Sequence, residues 1–79
     1  MQKEKCACCG YLTVGEEYDI CPVCYWEKDK YQNKNPGNRG GANKVSLNTA
    51  KKNYAKFKAC SEDVKINCRE PFEEEIPKS

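Results

Sequence analysis

The clearest hydrophobic pattern in this chain lies between residues 46 and 59. Apolar side chains recur there at intervals of three and four residues, with lysine and asparagine between them, and this spacing is typical of an amphipathic helix with one buried face. Ser46 precedes the pattern and is a favourable N-cap. We therefore predict a helix over residues 46–59. Its buried face would be formed by Leu47, Ala50, Tyr54 and Phe57.

The strand-like residues lie closer to the N-terminus. Tyr11–Val14 and Tyr18–Ile20 are rich in strand formers, and Gly15–Glu17 between them is typical of a turn. The pattern predicts that the two runs pair as a hairpin. Because an isolated two-stranded hairpin is not stable in water, another source of cohesion is needed.

Four of the seven cysteines indicate that source. Cys6/Cys9 and Cys21/Cys24 form two Cys-x-x-Cys pairs separated by eleven residues, a pattern typical of one tetrahedral metal site. The odd cysteine count and the absence of a secretory signal favour reduced thiols on metal over a disulfide framework. Soft thiolates favour one structural Zn²⁺, with iron as the alternative ion. Gly10 would supply the positive φ that ends the first knuckle, where the second has Tyr25.

Three cysteines are left over: Cys8, Cys60 and Cys68. Cys8 is an alternative to Cys6 as a ligand, although the Cys-x-x-Cys spacing would then be lost. Cys60 ends the predicted helix and is most simply a small buried apolar residue. A redox pair of Cys8 and Cys60 is a further hypothesis, which would make the protein a thiol sensor.

The predicted fold class is small metal-stabilised α+β: a zinc-ribbon-like two-knuckle β-hairpin with one packed amphipathic helix. A chain of 79 residues forms one small domain whose hydrophobic core is too small to stabilise it alone, so a bound metal ion is needed. We predict a single domain over residues 1–69, with the ribbon at 4–27, a loop at 28–44 and the helix at 46–59. Residues 70–79 are predicted to form a flexible acidic tail.

Charge is unevenly distributed along the chain. The overall formal charge is +2, but residues 28–69 carry eleven basic and three acidic side chains, a net +8. Another protein is the predicted partner, and nucleic acid is the alternative; a solvated lysine face would explain the same charges. Trp26, which as a large apolar group is more simply core, is also a candidate for stacking. The predicted partner surface comprises Trp26, Tyr31, Arg39, Lys44, Lys51, Lys52, Lys56 and Lys58.

The composition argues against an enzyme. The chain has no histidine, the commonest acid–base group at neutral pH, and its acidic residues fall in solvated runs. We therefore predict no catalytic residues, no small-molecule substrate and no membrane association. The start of the chain predicts a cytoplasmic protein.

Four ordered motifs lie within residues 5–61: Cys-x-Cys-Cys-Gly-Tyr-Leu-Thr, Ile-Cys-Pro-Val-Cys-Tyr-Trp-Glu, Gly-Gly-Ala-Asn-x-Val-Ser-Leu-x-x-Ala and Phe-x-Ala-Cys. Together they resemble the cysteine-rich CPCC family of small, mostly bacterial, zinc-ribbon-like proteins. The chain departs from the family pattern at Ala7, where proline is typical, and at Lys58, where glycine is frequent. The resemblance implies a compact zinc domain with Gly40–Ala50 beside the ribbon, a role for Cys8 and Cys60, and a small immunity-type toxin inhibitor as one function.

Overall fold

The computed structural model describes residues 3–78 and shows a small α+β fold with a two-stranded antiparallel sheet. The core forms where the cysteine-rich turns meet one face of the longer helix. The elements, in chain order, are β1 (Glu4–Lys5), β2 (Leu12–Val14), α1 (Lys30–Lys34), α2 (Leu47–Phe57), and the 3₁₀ helices η1 (Glu62–Asn67) and η2 (Glu73–Glu75).

The first knuckle is a tight turn at the tip of a hairpin. The Gly10 N–H donates to the Cys6 carbonyl over 2.8 Å, and the Cys6 N–H donates to the Tyr11 carbonyl over 2.8 Å. Gly10 has φ +83°, which confirms the predicted need for glycine after the second cysteine. Beyond the turn, β1 and β2 pair with Glu4 opposite Val14.

The second knuckle repeats this arrangement fifteen residues later. Tyr25 donates to the Cys21 carbonyl over 2.7 Å, and Cys21 donates to the Trp26 carbonyl over 2.9 Å. Tyr25 occupies the position of Gly10 and also has a positive φ, +70°. Since a left-handed conformation costs a residue with a β-carbon about 1–2 kcal/mol, the second turn is strained where the first is not. An antiparallel bridge between Ile20 and Glu27 completes the second hairpin.

The predicted pairing of Tyr11–Val14 with Tyr18–Ile20 is therefore wrong. Each knuckle folds the chain back onto the residues that immediately precede it, so β2 pairs with β1 and Ile20 pairs with Glu27. Between the two hairpins the chain turns through Tyr18, which has φ +69°.

Helix α2 begins where its sequence predicts, and only the N-terminal half of its predicted buried face is fully buried, since Tyr54 and Phe57 are partly exposed. The Ser46 hydroxyl accepts a hydrogen bond from the Thr49 N–H over 3.2 Å, which confirms the N-cap, and Leu47 and Ala50 are buried in the core. The helix ends at Phe57, because the next residue, Lys58, turns left-handed at φ +65°. None of the helices formed by residues 3–78 is long and apolar enough to cross a membrane.

Replacing Lys58 by glycine should stabilise the protein. Glycine adopts this left-handed helix C-cap without steric cost, so we expect a net gain of about 0.5–1 kcal/mol after its extra unfolded-state entropy is subtracted. In a domain of this size that raises Tm by about 4 °C. Thermal unfolding followed by circular dichroism measures the change. Lys58→Ala is the control: it also removes the lysine side chain, including the ammonium 5.3 Å from the Tyr54 ring, but keeps the strain, and an equal gain there would contradict the explanation.

The segment predicted as loop 28–44 contains α1 and is held by buried polar side chains. Asp29 caps α1: its Oδ1 accepts from the N–H groups of Tyr31 (2.9 Å) and Gln32 (3.2 Å). Its Oδ2 accepts from the Ala42 N–H at 2.9 Å, and this bond, helped by the other two, holds the pKa of Asp29 below its ordinary value. The carboxylate therefore contributes stability at neutral pH, and the contribution is lost as the pH falls through that lowered pKa.

Gln32 joins this loop to the rest of the molecule. Its side chain is fully buried, and its amide donates to the carbonyls of Asn38 (3.2 Å) and Val45 (3.1 Å). Its Oε1 accepts from both the backbone and the side-chain nitrogen of Asn43, each at 2.9 Å. Asn43 in turn bonds both backbone groups of Glu27 at 2.8 Å. The loop is thus fastened to the second knuckle hairpin.

Residues 70–78, in the segment predicted as a flexible acidic tail, contain η2. The Arg69 guanidinium makes two hydrogen bonds to the Glu75 carboxylate, at 2.9 and 2.8 Å, and lies 3.8 Å from the centroid of the Phe72 ring. Such bidentate pairs are among the stronger charged contacts in proteins. The contacts of Arg69 thus attach the acidic segment to the residue that precedes it, while Phe72 and Ile76 remain exposed.

Candidate metal centre

The two knuckles bring four sulfur atoms together. The Sγ atoms of Cys6, Cys9, Cys21 and Cys24 all lie within 4.8 Å of one another. These are the same four residues that the Cys-x-x-Cys spacing predicts as ligands. Two sulfur–sulfur contacts, Cys6–Cys24 at 3.5 Å and Cys9–Cys21 at 3.7 Å, join one knuckle to the other. The cluster is therefore the joint between the two hairpins.

These separations suit a single metal ion. Sulfurs bound at 2.3 Å to one tetrahedral ion lie about 3.8 Å apart. Cys21 and Cys24 are fully buried, Cys6 is almost so, and Cys9 is partly exposed. Four thiolates complete a tetrahedral shell, which leaves no position for a water or a substrate. The cluster can hold a metal ion, and its form is that of a closed site.

Hydrogen bonds concentrate negative charge on Cys21. Its sulfur accepts from the Thr13 hydroxyl at 2.9 Å and from the Val23 N–H at 3.4 Å. Hydrogen bonding by the Cys24 thiol, with smaller contributions that include Thr13, lowers the pKa of Cys21 well below the usual thiol value. The same contact to Cys21 raises the pKa of Cys24. Since an uncompensated buried charge is costly, a cation at the centre is needed before all four thiols can ionise.

Thr13 is a site residue that sequence reasoning missed. It lies on β2, where its β-branched side chain predicts only a strand. In the structure it is 5% exposed and directs its hydroxyl at Cys21. No local pattern marks this role, because it depends on the second knuckle lying beside the first hairpin.

The leftover cysteines lie outside the four-sulfur cluster. Cys8 and Cys60 are both buried in the core, and all seven cysteines are free thiols. The Cys60 N–H donates to the Cys24 carbonyl at 2.8 Å, and burial raises the pKa of its thiol to about 12. Burial also raises the pKa of Cys68. A buried thiol whose pKa is raised is a poor nucleophile, and the Cys60 member of the hypothetical redox pair is such a thiol.

The predicted partner surface changes in one respect. Trp26 is only 1% exposed and its indole N–H donates to Asn33 Oδ1 at 3.1 Å, so its assignment to a contact surface is wrong and its role is core. The Lys44 ammonium is paired with Asp63 at 2.7 Å. The other members are exposed: Tyr31, Arg39, Lys51, Lys52, Lys56 and Lys58.

Two surface concavities flank η1. We call the first the apolar depression; it has a volume of about 140 Å³ and its apolar lining includes Ile20, Tyr25, Ala42, Val45 and Val64. We call the second the basic–aromatic groove; it has a volume of about 450 Å³ and is lined by Tyr54, Phe57, Lys58, Lys65, Cys68, Arg69 and Glu70.

The fold and the cluster define a small cysteine-rich domain of the metal-binding type. The family model for cysteine-rich CPCC proteins matches residues 4–75, so the chain belongs to that family. It is also 38% identical over 52 residues to Reverse rubrerythrin-1 of Clostridium acetobutylicum. That match covers 65% of this chain and 29% of the relative, so the chain spans less than a third of the relative's length.

Proposed function

We propose that this protein is a non-enzymatic domain, held together by one structural zinc ion, that binds another protein. The closed thiolate cluster supports the first part of the proposal. Soft sulfur ligands in tetrahedral geometry favour Zn²⁺ among the common cellular ions, with iron as the chief competitor. Two knuckles that face one another from the tips of short hairpins form a zinc-ribbon-like centre.

The side-chain inventory supports a non-enzymatic role. The chain has no histidine, and a four-thiolate shell has no open position at which substrate can bind. Cys60, which lines the apolar depression, is held protonated by burial. Neither the cluster nor the depression therefore offers an activated nucleophile paired with a base. A cytoplasmic location is proposed with this function, because reducing compartments keep such thiols free.

The observation that carries the binding proposal is the exposed apolar surface at η1. Ile66 is 91% exposed, although a side chain of this size normally gains about 1.5–3 kcal/mol from burial. The same short helix contributes Val64 to the lining of the apolar depression, which also includes Ile20, 46% exposed. Exposed apolar side chains on one element are a common mark of a surface that binds another protein.

Ile66→Asp should abolish this binding without harming the fold. The tagged protein, purified from its own host cells, is expected to retain a stoichiometric protein partner. The variant places a charge in the contact and should weaken it about 30-fold or more. Ile76→Asp is the matched control, since Ile76 is also an exposed isoleucine but follows η2 and does not belong to η1. Absence of a stoichiometric partner, or full retention of it by Ile66→Asp, would argue against the proposal.

Inhibition of a toxin, as by an immunity protein, is the most specific form of the proposed binding function, and it rests on the family resemblance. The partner would then be a toxin encoded beside this gene, bound one to one. Co-expression should restore growth to cells that make the toxin, and Ile66→Asp should fail to do so. If the wild-type protein does not restore growth, the immunity function is rejected, but the more general proposal of protein binding is not.

A further inference from the structure

We propose that the basic–aromatic groove binds a nucleotide unit, with the base against Phe57 and Tyr54 and the phosphate at Lys58 and Lys65. This activity is separate from protein binding at Ile66. Nucleotides combine a flat aromatic face with a negative charge, and proteins recognise that combination by aromatic side chains interleaved with cations. The groove presents both kinds of group within one concavity of about 450 Å³, a size typical of ligand sites.

The apolar part of the groove comes from the end of α2. Tyr54 and Phe57 lie three residues apart, so both project toward the same side of the helix, and both line the groove. Each is only partly buried. Tyr54 packs against the core, and both rings leave part of their surface open to the groove.

The charged part has two free ammonium groups. The ion pairs found within residues 3–78 involve Lys28, Lys44 and Arg69, which leaves Lys58 and Lys65 unpaired in that part of the chain. The Lys58 ammonium lies 5.3 Å from the centroid of the Tyr54 ring, and it is therefore already positioned beside an aromatic surface. Glu70 is the acidic residue of the lining, and since Glu75 matches the charge of Arg69, the two lysines and Glu70 leave a net charge of +1.

Arg69 forms a rigid wall of the groove. Its guanidinium is held by the Glu75 carboxylate at 2.9 and 2.8 Å and stacks on Phe72 at 3.8 Å. Because Glu75 already neutralises its charge, Arg69 contributes shape to the site. The phosphate is therefore bound by Lys58 and Lys65.

The backbone at Lys58 is an independent sign of function. The residue sits at φ +65°, a helix C-cap position that favours glycine. Strained residues with side chains are often kept where the side chain is used. A lysine held in this conformation at the mouth of a groove fits a binding role better than a purely structural one.

The charges on helix α2 bear on whether the bound nucleotide unit is part of a single strand or a free nucleotide. The helix carries Lys51, Lys52 and Lys56 on exposed positions and has no acidic residue. Lys51 lies three residues before Tyr54 and therefore on the same side of the helix, where it can contact a phosphate next to the bound unit, and this favours a single strand over a free nucleotide. The chemistry recognised by the groove is the same in both cases.

The test is fluorescence anisotropy with a labelled eight-nucleotide oligouridine at about 50 mM salt, where phosphate contacts are strongest. We expect micromolar or tighter binding that weakens steeply as salt is raised. Lys58→Gly should weaken binding severalfold and reduce the salt slope by about one, while its Tm rises or is unchanged. Phe57→Leu keeps an apolar group but removes the ring, and should weaken binding at least fivefold. Lys34→Gln, which removes an exposed charge from α1, is the matched control and should change affinity less than twofold.

Competition experiments distinguish a free nucleotide from a single strand as the ligand, and they can also contradict the proposal. Adenosine monophosphate that displaces the probe at similar concentration identifies the free nucleotide as ligand, and its inability to compete identifies the strand. Binding that is absent or insensitive to salt would overturn the proposal. So would polyglutamate that competes as well as the oligonucleotide, or Lys34→Gln that weakens binding as much as Lys58→Gly, since either result would show attraction by general charge alone.

Discussion

Cys21→Ser is expected to abolish the folded state. Cys21 is fully buried, and its sulfur is one of the four in the cluster and accepts hydrogen bonds from Thr13 and Val23. Structural zinc contributes about 10–16 kcal/mol to small domains of this kind, and a domain's whole stability is about 5–15 kcal/mol. Losing the fourth thiolate should therefore remove most of the free energy of folding. Circular dichroism and amide chemical-shift dispersion measure the loss.

Cys68→Ser is the matched control for this substitution. Cys68 is a partly buried thiol whose sulfur lies 3.5 Å from the Val64 carbonyl, outside the four-sulfur cluster. The serine variant should fold, bind metal and unfold within about 1 kcal/mol of the wild type. A Cys21→Ser protein that keeps its dispersed spectrum would show that the metal is not what holds the hairpins together.

Gly41→Ala is expected to cause the second largest loss of stability, about 2–4 kcal/mol. A β-carbon at this position would lie 2.6 Å from Gln32 Cγ and 2.7 Å from Asp29 Oδ2. Neither neighbour can yield easily, because Gln32 is fully buried and Asp29 accepts three backbone hydrogen bonds. The substitution should break the contact between the loop and the second knuckle. Chemical denaturation of the metal-loaded protein measures the change.

Gly37→Ala provides the comparison. A β-carbon at Gly37 meets no atom within 4 Å, so the same chemical change should alter stability by less than about 0.5 kcal/mol. If neither variant lost stability relative to the wild type, the buried polar contacts would not be what holds the loop. If both were strongly destabilised, chain stiffness in this segment would explain the loss instead of the clash.

Features set by neighbouring residues were predicted well from the sequence. The Cys-x-x-Cys spacing places two sulfurs on one turn, and the four residues it selects are the four whose sulfurs meet. The N-cap at Ser46 and the positive φ at Gly10 also depend on local chemistry. The frequent glycine of the family at position 58 has the same kind of cause, since this residue ends α2 in the left-handed region.

Features that depend on distant contacts were not predicted. Strand propensity marked β2 but not its partner, because the two-residue β1 carries no apolar alternation. The sequence gives no sign that Gln32 is fully buried, since glutamine in a polar segment usually faces solvent. Its amide is satisfied by groups as far along the chain as Val45, and burial becomes favourable only when all of them are in place.

The central claim is that one zinc ion, held by Cys6, Cys9, Cys21 and Cys24, joins two equivalent hairpins into a folded domain. Native mass spectrometry of the purified protein tests it most directly, because it reports metal content and the compactness of the chain together. The account predicts one zinc ion per chain in the compact species and an expanded, metal-free species after chelation. A compact chain without metal, or one that carries iron in place of zinc when purified from its own host cells, would contradict it.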